Sequence, residues 1–434
     1  MEETPEALLT LDDDALLEKV ARQTFRFFRE GAEPNSFLAR DRTGIISDPP
    51  NDLVAVGGSG FGLMALVVAV ERGWITRAEA LARLGRMLAV LEGAERHHGA
   101  FPHFLHGKSG KTIAFGPNDD GGDLVETSFL MMGLITARQY FSVEKNLAAR
   151  INALWESVEW DWYTRAVPGK VYGGFPSGTA TKQSGENVLY WHWSPHAGWA
   201  MNHQIRGWNE CLITYVLAAG ASEPHAIGRD VYEQGFCAGA GYKNGNIYYG
   251  VRLPLGPALG GPLFFAHYSF LGLDPRNLRD AHADYWRQNL AHVAINRAHC
   301  VANPKGFKGY GAASWGLTAS DDPDGYDAHA PAHDNGTISP TAALASLPYA
   351  PDASLTALRH FLKTHGRRVW DRFGFIDAFN ETRDWWAQTF LAIDQAPIVV
   401  MIENYRSGLL WKLFMSAPEV RRGLARLGFE GFVA

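Results

Sequence analysis

The chain has 434 residues, 46% of them hydrophobic and 20% charged, which is the composition of an ordinary globular protein. Its formal net charge of -6 and the lack of a basic run argue against a nucleic-acid partner. It has no run of about 18 or more apolar residues, so no membrane span is expected. Three scattered cysteines form no CxxC pair and suggest no disulfide framework.

The N-terminal segment is acidic and lacks the basic and apolar regions of a secretory leader. We therefore expect a cytoplasmic protein if this N-terminus is complete, and a periplasmic or secreted one if a leader was removed. No boundary shows the composition of a linker, so residues 1–434 are expected to form one domain. We expect that domain to be a monomer.

Apolar periodicity predicts a series of helices in the first half of the chain. The predicted helices open at Asp12–Asp14, cover 61–72, run from a cap at Thr76 to about Leu91, cover 124–140, continue to about Trp155, and run from Asn209 to about Ala219. The run Gly57–Gly60 lacks the Gly-Lys-Ser/Thr ending of a phosphate loop, so nucleotide binding is rejected there. Residues 167–188 are predicted to form turns and short strands.

The second half alternates long loops with further helices. Loops are predicted at 241–275 and 303–340, and helices at 280–300, 339–347, 354–364, 398–415 and 418–427. Loops this long in a compact protein are usually functional. The alternation favours a closed ring of helix pairs with a groove built by the loops at one end. No fixed repeat period is present, which argues against an ordinary solenoid.

The stretch Asn118–Ser128 places three carboxylates, those of Asp119, Asp120 and Asp123, within five residues and ahead of an apolar helical run. Like charges held close together push their pKa values apart, which can yield an acid and a base from one side-chain type. Asp123-x-x-Glu126 is also a helix capping box, a purely structural feature. The stretch alone leaves both interpretations open.

Glu210 is a second candidate, because it follows Trp208 and Asn209 at a predicted helix start. Partial desolvation beside a tryptophan would raise its pKa and suit a general acid. The helix N-terminus favours the charged form instead. The alternative is that Asn209 caps the helix and Glu210 is an ordinary first-turn residue.

Further polar and aromatic side chains are candidates for contact with a ligand. Sugar rings stack on aromatic faces, and sugar hydroxyls pair with carboxylates, amides and arginine; tryptophan and tyrosine equally serve large cores. Near the C-terminus, an apolar run ends at a polar group that is either a structural network or a hydroxyl-binding set. The candidates are Trp191, His192, Trp193, Trp208, Trp315, Asp394, Gln395, Glu403, Asn404 and Arg406.

No metal site or cofactor is expected. His97 and His98 are adjacent and would point apart, and no His-Glu-x-x-His motif is present. Asp321, Asp322 and Asp324 lack the spacing and glycine of a calcium-binding EF-hand. The absence of Gly-x-Ser-x-Gly argues against a serine hydrolase.

Several motifs together resemble glycoside hydrolase family 144, the glucoamylase-like endo-β-1,2-glucanases, over about residues 12 to 430. The motifs are Asp119–Thr127, Gly207–Glu210, Trp315–Asp321, Asp334–Ile338, Ile393–Ile398 and Glu403–Arg406. The resemblance implies an all-α (α/α)6 barrel and inverting, metal-independent hydrolysis of β-1,2-glucan. It also implies that Asp119, Asp123 and Glu210 are required for activity, with Asp120 as an acidic neighbour that contacts substrate.

Inverting hydrolysis needs one protonated carboxyl group and one carboxylate, roughly 6.5–9.5 Å apart to admit the attacking water. Our hypothesis assigns the acid role to Glu210 and the base role to Asp119 or Asp123. A transglycosylase on the same barrel, a lyase acting on uronates and a non-catalytic β-glucan-binding protein remain as alternatives. Endo or exo cleavage, and linear or cyclic substrate, are left open.

Overall fold

The computed structural model describes residues 4–45, 52–165 and 186–432. The turns and strands predicted for 167–188 therefore lie outside the described residues, apart from 186–188. The α-helices of the described residues are α1 (Pro5–Leu8), α2 (Asp13–Glu30), α3 (Val56–Glu71), α4 (Arg77–Gly93), α5 (Leu124–Tyr140), α6 (Lys145–Glu156), α7 (Leu212–Gly220), α8 (Arg229–Val231), α9 (Phe264–His267), α10 (Tyr285–Ala302), α11 (Pro340–Leu344), α12 (Pro351–His360), α13 (Gly366–Val369), α14 (Ala392–Arg406), α15 (Leu409–Met415) and α16 (Pro418–Leu427).

Two kinds of helix alternate along the chain. Helices α3, α5, α7, α11 and α14 are buried on nearly every side, as expected of helices that are apolar all round. Helices α2, α6, α12 and α16 bury a single apolar stripe and expose charged side chains. The first kind forms an inner ring of helices, and the second kind packs around it.

The inner helices close into a ring. Helix α3 packs on α5, α5 on α7, α11 on α14, and α14 back on α3. Between α7 and α11, the ring is completed by α9 and the 3₁₀ turn Ser269–Leu271. Ser269 Oγ accepts a hydrogen bond from Ile213 N (3.0 Å), and His267 Nε2 lies 3.0 Å from Ser346 Oγ. The architecture is therefore an α/α toroid.

Glycines allow α3 and α5 to touch through their backbones. A Cβ on Gly60 would lie 2.2 Å from Phe129 O, and one on Gly133 would lie 2.0 Å from Gly60 O. Any larger residue would force the two helices apart. The run Gly57–Gly60 thus belongs to the first turns of α3 and serves packing, consistent with the rejection of a phosphate loop.

Short antiparallel strands precede the N-terminal ends of several inner helices. Strand β2 leads into α3, β5 into α5 and β15 into α14. The strands are β1 (Arg42–Gly44), β2 (Leu53–Ala55), β3 (Phe104–His106), β4 (Thr112–Ile113), β5 (Gly122–Asp123), β6 (His192–Trp193), β7 (Ile247–Tyr248), β8 (Val251–Arg252), β9 (Ala319–Asp322), β10 (Gly325–Ala328), β11 (Trp370–Asp371), β12 (Gly374–Phe375), β13 (Phe379–Asn380), β14 (Trp385–Trp386) and β15 (Thr389–Leu391). Two pairings matter for the site: Asp123 pairs with His192, and Arg42 pairs with Leu391.

Most helix predictions are confirmed, with local differences at the ends. Asp12 and Thr76 cap α2 and α4 through their side chains, and α5 and α16 have the predicted bounds. The predicted helix 398–415 is wrong: α14 begins at Ala392, contains Pro397 and ends at Arg406. Gly408, with φ +67°, separates it from α15 because a left-handed residue cannot continue a helix.

Two other predicted segments differ in detail. The helix predicted from residue 280 begins at Tyr285, where the Asp284 side chain caps it. The loop predicted at 303–340 contains the hairpin β9–β10, with Asp322 opposite Gly325. No helix in the described part of the chain is both long and apolar enough to cross a bilayer.

Candidate active site

Acidic side chains gather at the N-terminal ends of three inner helices. Asp123 caps α5, Glu126 lies in its first turn, Glu210 directly precedes α7, and Asp394 lies in the first turn of α14. Helix N-termini carry partial positive charge and free N–H groups, which makes them favourable places for carboxylates. The toroid therefore concentrates acidic groups at one end of its inner ring.

Asp123 is fully buried, and both of its oxygens are occupied. Oδ1 accepts hydrogen bonds from Val125 N (3.0 Å) and Glu126 N (2.9 Å), and Oδ2 lies 3.0 Å from His103 Nδ1. Burial opposes ionisation, but the hydrogen bond from His103 and the charge of His103 lower the pKa of Asp123. Asp123 is thus an ionised, anchored carboxylate.

His103 supplies positive charge to this group. Its burial opposes protonation, but the carboxylates of Glu126, Asp123 and Asp119 raise the pKa of His103 to about 10. The imidazolium therefore persists at neutral pH. Glu126 in turn accepts a 2.6 Å hydrogen bond from Gly57 N at the start of α3, and burial raises the pKa of Glu126 to about 7.

Asp119 is also buried, with 6% of its surface exposed against 4% for Glu126 and 0% for Asp123. Its Oδ2 lies 3.3 Å from His192 Nε2, which is also 3.7 Å from Asp123 Oδ2. Burial and the charge of Asp123 raise the pKa of Asp119 to about 6. Burial lowers the pKa of His192, which favours a neutral imidazole beside Asp119.

Glu210 lies in a buried position before α7. Burial raises the pKa of Glu210 to about 7, and the charges of Glu126 and Asp123 add to this rise. Asn209 Oδ1 accepts from Cys211 N (3.0 Å), so the asparagine organises the turn ahead of the helix. A carboxyl group that holds its proton near neutrality is suited to general acid catalysis.

A second set of carboxyl groups comprises Asp321, Asp377 and Asp394. Asp377 Oδ2 accepts from Asp321 N (2.7 Å), and Arg42 Nη1 lies 2.9 Å from Asp321 Oδ1. Burial raises the pKa of Asp377 to about 7 and that of Asp394 well above its usual range. Asp377 and Asp394 share a hydrogen bond between their carboxyl groups, and Asp377 Oδ1 and Asp394 Oδ2 are both buried.

The predicted residues of the first loops lie close to Asp119 and Asp123. His192 and Trp193 form β6, which pairs with β5, and Trp191 O accepts a hydrogen bond from Leu124 N (2.9 Å). Trp191 stacks on His203 with ring centres 4.9 Å apart. Asp120 lies beside this strand, with Oδ2 2.6 Å from His196 Nδ1.

Three other predicted ligand contacts are packed in the core. Trp208 is buried against Tyr285 and Phe270, with ring centres 5.5 and 6.3 Å away. Trp315 is fully buried, and Gln395 donates through Nε2 to Phe375 O (2.7 Å). Trp208 Nε1 and Gln395 Oε1 lack a hydrogen-bond partner among the described residues, so contact of these three residues with substrate stays a prediction.

Glu403, Asn404 and Arg406 lie at the C-terminal end of α14, about 14–18 Å along the helix from Asp394. The Glu403 carboxylate pairs with Arg72 Nε at 2.7 Å. Asn404 bonds Leu271 O and Trp411 N, and Arg406 pairs with Asp14 and Glu18. The structure does not bring these three residues to the acidic end of the ring.

His103, Glu126 and Asp377 were not predicted from the sequence as site residues. Glu126 was treated as half of a capping box, but its carboxylate bonds Gly57 of a neighbouring helix. His103 and Asp377 lie in segments without a motif.

Two groups of donor atoms in the described residues lie within 4.8 Å of one another and could in principle hold a cation. They are His103–Asp119–Asp123 and Glu233–Cys237–His282. In the first group the His103 nitrogen already bonds Asp123, and its charge opposes a cation. In the second group His282 Nε2 already bonds Glu233 Oε2 at 2.8 Å.

The fold and this site define a class of protein. Glycoside hydrolases use two carboxyl groups that differ in protonation, and here carboxyl groups with different pKa values gather at one end of an α/α toroid. The model of the Glycoamylase family, described as "Putative glucoamylase", matches residues 202–418. The chain belongs to this glucoamylase-like family, glycoside hydrolase family 144.

Individual relatives agree in fold over nearly the whole chain. An endo-β-1,2-glucanase from Chitinophaga pinensis, solved with sophorotriose and glucose, is 50% identical, with a TM-score of 0.90 over 97% of this chain and 99% of that one. An endo-β-1,2-glucanase from Talaromyces funiculosus, solved with sophorose, shares the fold at 13% identity, with a TM-score of 0.63 over 94% of this chain and 87% of that one. The predicted (α/α)6 barrel is confirmed.

A further relative is longer than this chain. The exo-β-1,2-glucooligosaccharide sophorohydrolase (non-reducing end) of Parabacteroides distasonis is 45% identical over 441 residues, which cover 96% of this chain. The match spans only 58% of that protein's length.

Proposed function

We propose that this protein hydrolyses β-1,2-linked glucans, with Glu210 as the general acid and Asp119 as the general base. The observation that carries the proposal is the contrast between these two carboxyl groups. Both are buried, but burial raises the pKa of Glu210 to about 7 and that of Asp119 only to about 6, because the charge of His103 favours the ionised form of Asp119. The names of the C. pinensis and P. distasonis relatives support the substrate class.

Asp119 suits the base role better than Asp123. A base must present a free lone pair to the attacking water. Both oxygens of Asp123 already accept hydrogen bonds, and the side chain is fully buried. Asp123 instead anchors His103 and adds negative charge beside Asp119, which supports a positioning role.

Other groups supply contacts for the sugar. Asp120, Trp191 and Trp193 lie beside Asp119 and Asp123, and Asp394 shares a hydrogen bond with Asp377 at the N-terminal end of α14. We assign them to substrate binding. The reaction is expected to invert the anomeric configuration and to need no metal ion, as the sequence analysis predicts.

The test is incubation of purified protein with linear β-1,2-glucan, laminarin and cello-oligosaccharides, followed by thin-layer and mass analysis of the products. Short oligosaccharides should arise from the β-1,2-glucan alone, and NMR during the first minutes should show the α-anomer of the new reducing end. A ladder of products would indicate endo cleavage, and a single disaccharide exo cleavage. Products longer than the substrate would indicate transglycosylation, and no release from any glucan would refute hydrolysis.

A further inference from the structure

Phe115 is the most exposed Phe, Tyr or Trp side chain in the described part of the chain, with 61% of its surface accessible. Single exposed apolar residues are common on protein surfaces and need no explanation by themselves. The position of this one is unusual, because its ring packs on His103, with ring centres 4.5 Å apart and planes inclined by 36°. Phe104 lies on the same side at 5.5 Å.

The loop that carries Phe115 also carries Asp119. Phe115 N donates to Asp119 O (2.9 Å), and Asp119 N donates to Gly116 O (3.0 Å). These two hydrogen bonds close a short turn that has the aromatic ring at one end and the proposed base at the other. Beneath the ring, His103 Nδ1 lies 3.0 Å from Asp123 Oδ2. The side chain of His103 therefore lies between the exposed ring of Phe115 and the carboxylate of Asp123.

We propose that Phe115 is a stacking platform for one glucosyl residue of the substrate, bound beside Asp119; this rests on the proposed function. A β-glucosyl ring carries its hydroxyls equatorially, so its two faces present C–H groups that can pack on an aromatic ring. The buried face of Phe115 rests on His103, which holds the ring in place, while the exposed face is available to the sugar. Because Phe115 and Asp119 belong to the same hydrogen-bonded turn, the ring that orients the sugar has a fixed position relative to the proposed base.

The experiment compares Phe115→Ala, Phe115→Leu and Phe115→Trp in two readouts. One is kcat and KM on sophoro-oligosaccharides, and the other is calorimetric binding of sophorotriose to each variant combined with Glu210→Gln, which prevents turnover. Loss of the apolar face should raise KM and weaken binding about tenfold for the Ala variant. Trp should retain binding, and Leu should lose most of it, because Leu keeps apolar volume without a flat face.

A matched control is Val143→Ala. Val143 is also apolar and 72% exposed, but it lies beyond the C-terminal end of α5, away from the site. This variant should leave both readouts unchanged. The pH–rate profile separates stacking from an indirect effect: if Phe115 acted only by supporting His103, the acidic limb of the profile would move in the Ala variant, whereas stacking leaves the limb in place.

The outcomes separate this proposal from the proposed function. If the wild-type protein hydrolyses β-1,2-glucan and the Ala variant keeps KM and binding within twofold, the platform is refuted and the function stands. Full retention of binding by Leu would also refute an aromatic platform. If the wild-type protein releases nothing, the proposed function fails. The stacking platform is then tested by comparing sophorotriose binding to Glu210→Gln alone and to Glu210→Gln combined with Phe115→Ala. If neither variant binds sophorotriose, both proposals are refuted.

Discussion

Replacing Glu210 with Gln should abolish turnover while making the folded protein more stable at alkaline pH. Burial raises the pKa of Glu210 from 4.5 to about 7, so the folded state holds a proton that the unfolded state has released. The side chain is buried, and solvent does little to screen its charge. Glutamine has nearly the same shape and cannot ionise, so it removes both the proton and the buried charge.

The size of the effect follows from linkage. A group whose pKa is raised on folding contributes stability below its unfolded pKa and loses it as the pH rises through its folded pKa. For Glu210 this window runs from pH 4.5 to about 7. The pKa change lowers the free energy of unfolding of the wild-type protein by about 3 kcal/mol as the pH rises, and about 2.5 kcal/mol of this loss occurs between about pH 5 and about pH 8. For a chain of this length, that is a change in Tm of about 2–3 °C.

The assay is thermal unfolding of both proteins at these two pH values, with activity measured near neutrality. The difference in Tm between Glu210→Gln and wild type should be about 2–3 °C larger in the alkaline buffer than in the acidic one. The kcat of the variant should be about 10²–10⁴-fold lower than that of wild type. Glu430→Gln is the control, because Glu430 is 71% exposed and its replacement should show no such pH dependence. An equal Tm difference at both pH values would refute the buried charge, and retained turnover would remove Glu210 from the mechanism.

Two further predictions test the surroundings of the site. The charge of His103 lowers the pKa of Asp119, so His103→Gln should raise that pKa and move the acidic limb of the pH–rate profile to higher pH; an unmoved limb would contradict the coupling. Arg72→Met leaves the buried Glu403 carboxylate unpaired and should destabilise the fold by about 3 kcal/mol with unchanged KM; a raised KM would return Glu403 to the substrate site.

The sequence was most informative where local chemistry decides the structure. Caps such as Asp12 and Thr76 depend on a side chain and an N–H three residues away, so the sequence alone could predict them. Asp123 illustrates the limit of this reasoning. Its capping and its membership of the acidic group were treated as alternatives, but one oxygen caps α5 while the other meets His103.

Long-range packing decided what the sequence could not. Trp208 and Trp315 belong to specific motifs, but a motif does not say which face of an aromatic ring is covered. Asp394 lies near the N-terminal end of α14 and Arg406 at its C-terminal end, so the length of this helix separates the two residues. Asp377 contacts Asp321 across 56 positions of the chain, so no local pattern could have paired them.

The proposed acid and the proposed base differ in the charges that act on them. Asp119, Asp123, Glu126 and Glu210 are all desolvated, and burial alone would leave each of them with a raised pKa. The His103 imidazolium bonds Asp123 and keeps it ionised, and its charge lowers the pKa of Asp119 against the effect of burial. The groups acting on Glu210 include the carboxylates of Glu126 and Asp123, which favour retention of its proton. The charge of His103 thus favours the ionised form of Asp119, and neighbouring carboxylates favour the protonated form of Glu210, so the first is suited to accept a proton and the second to donate one.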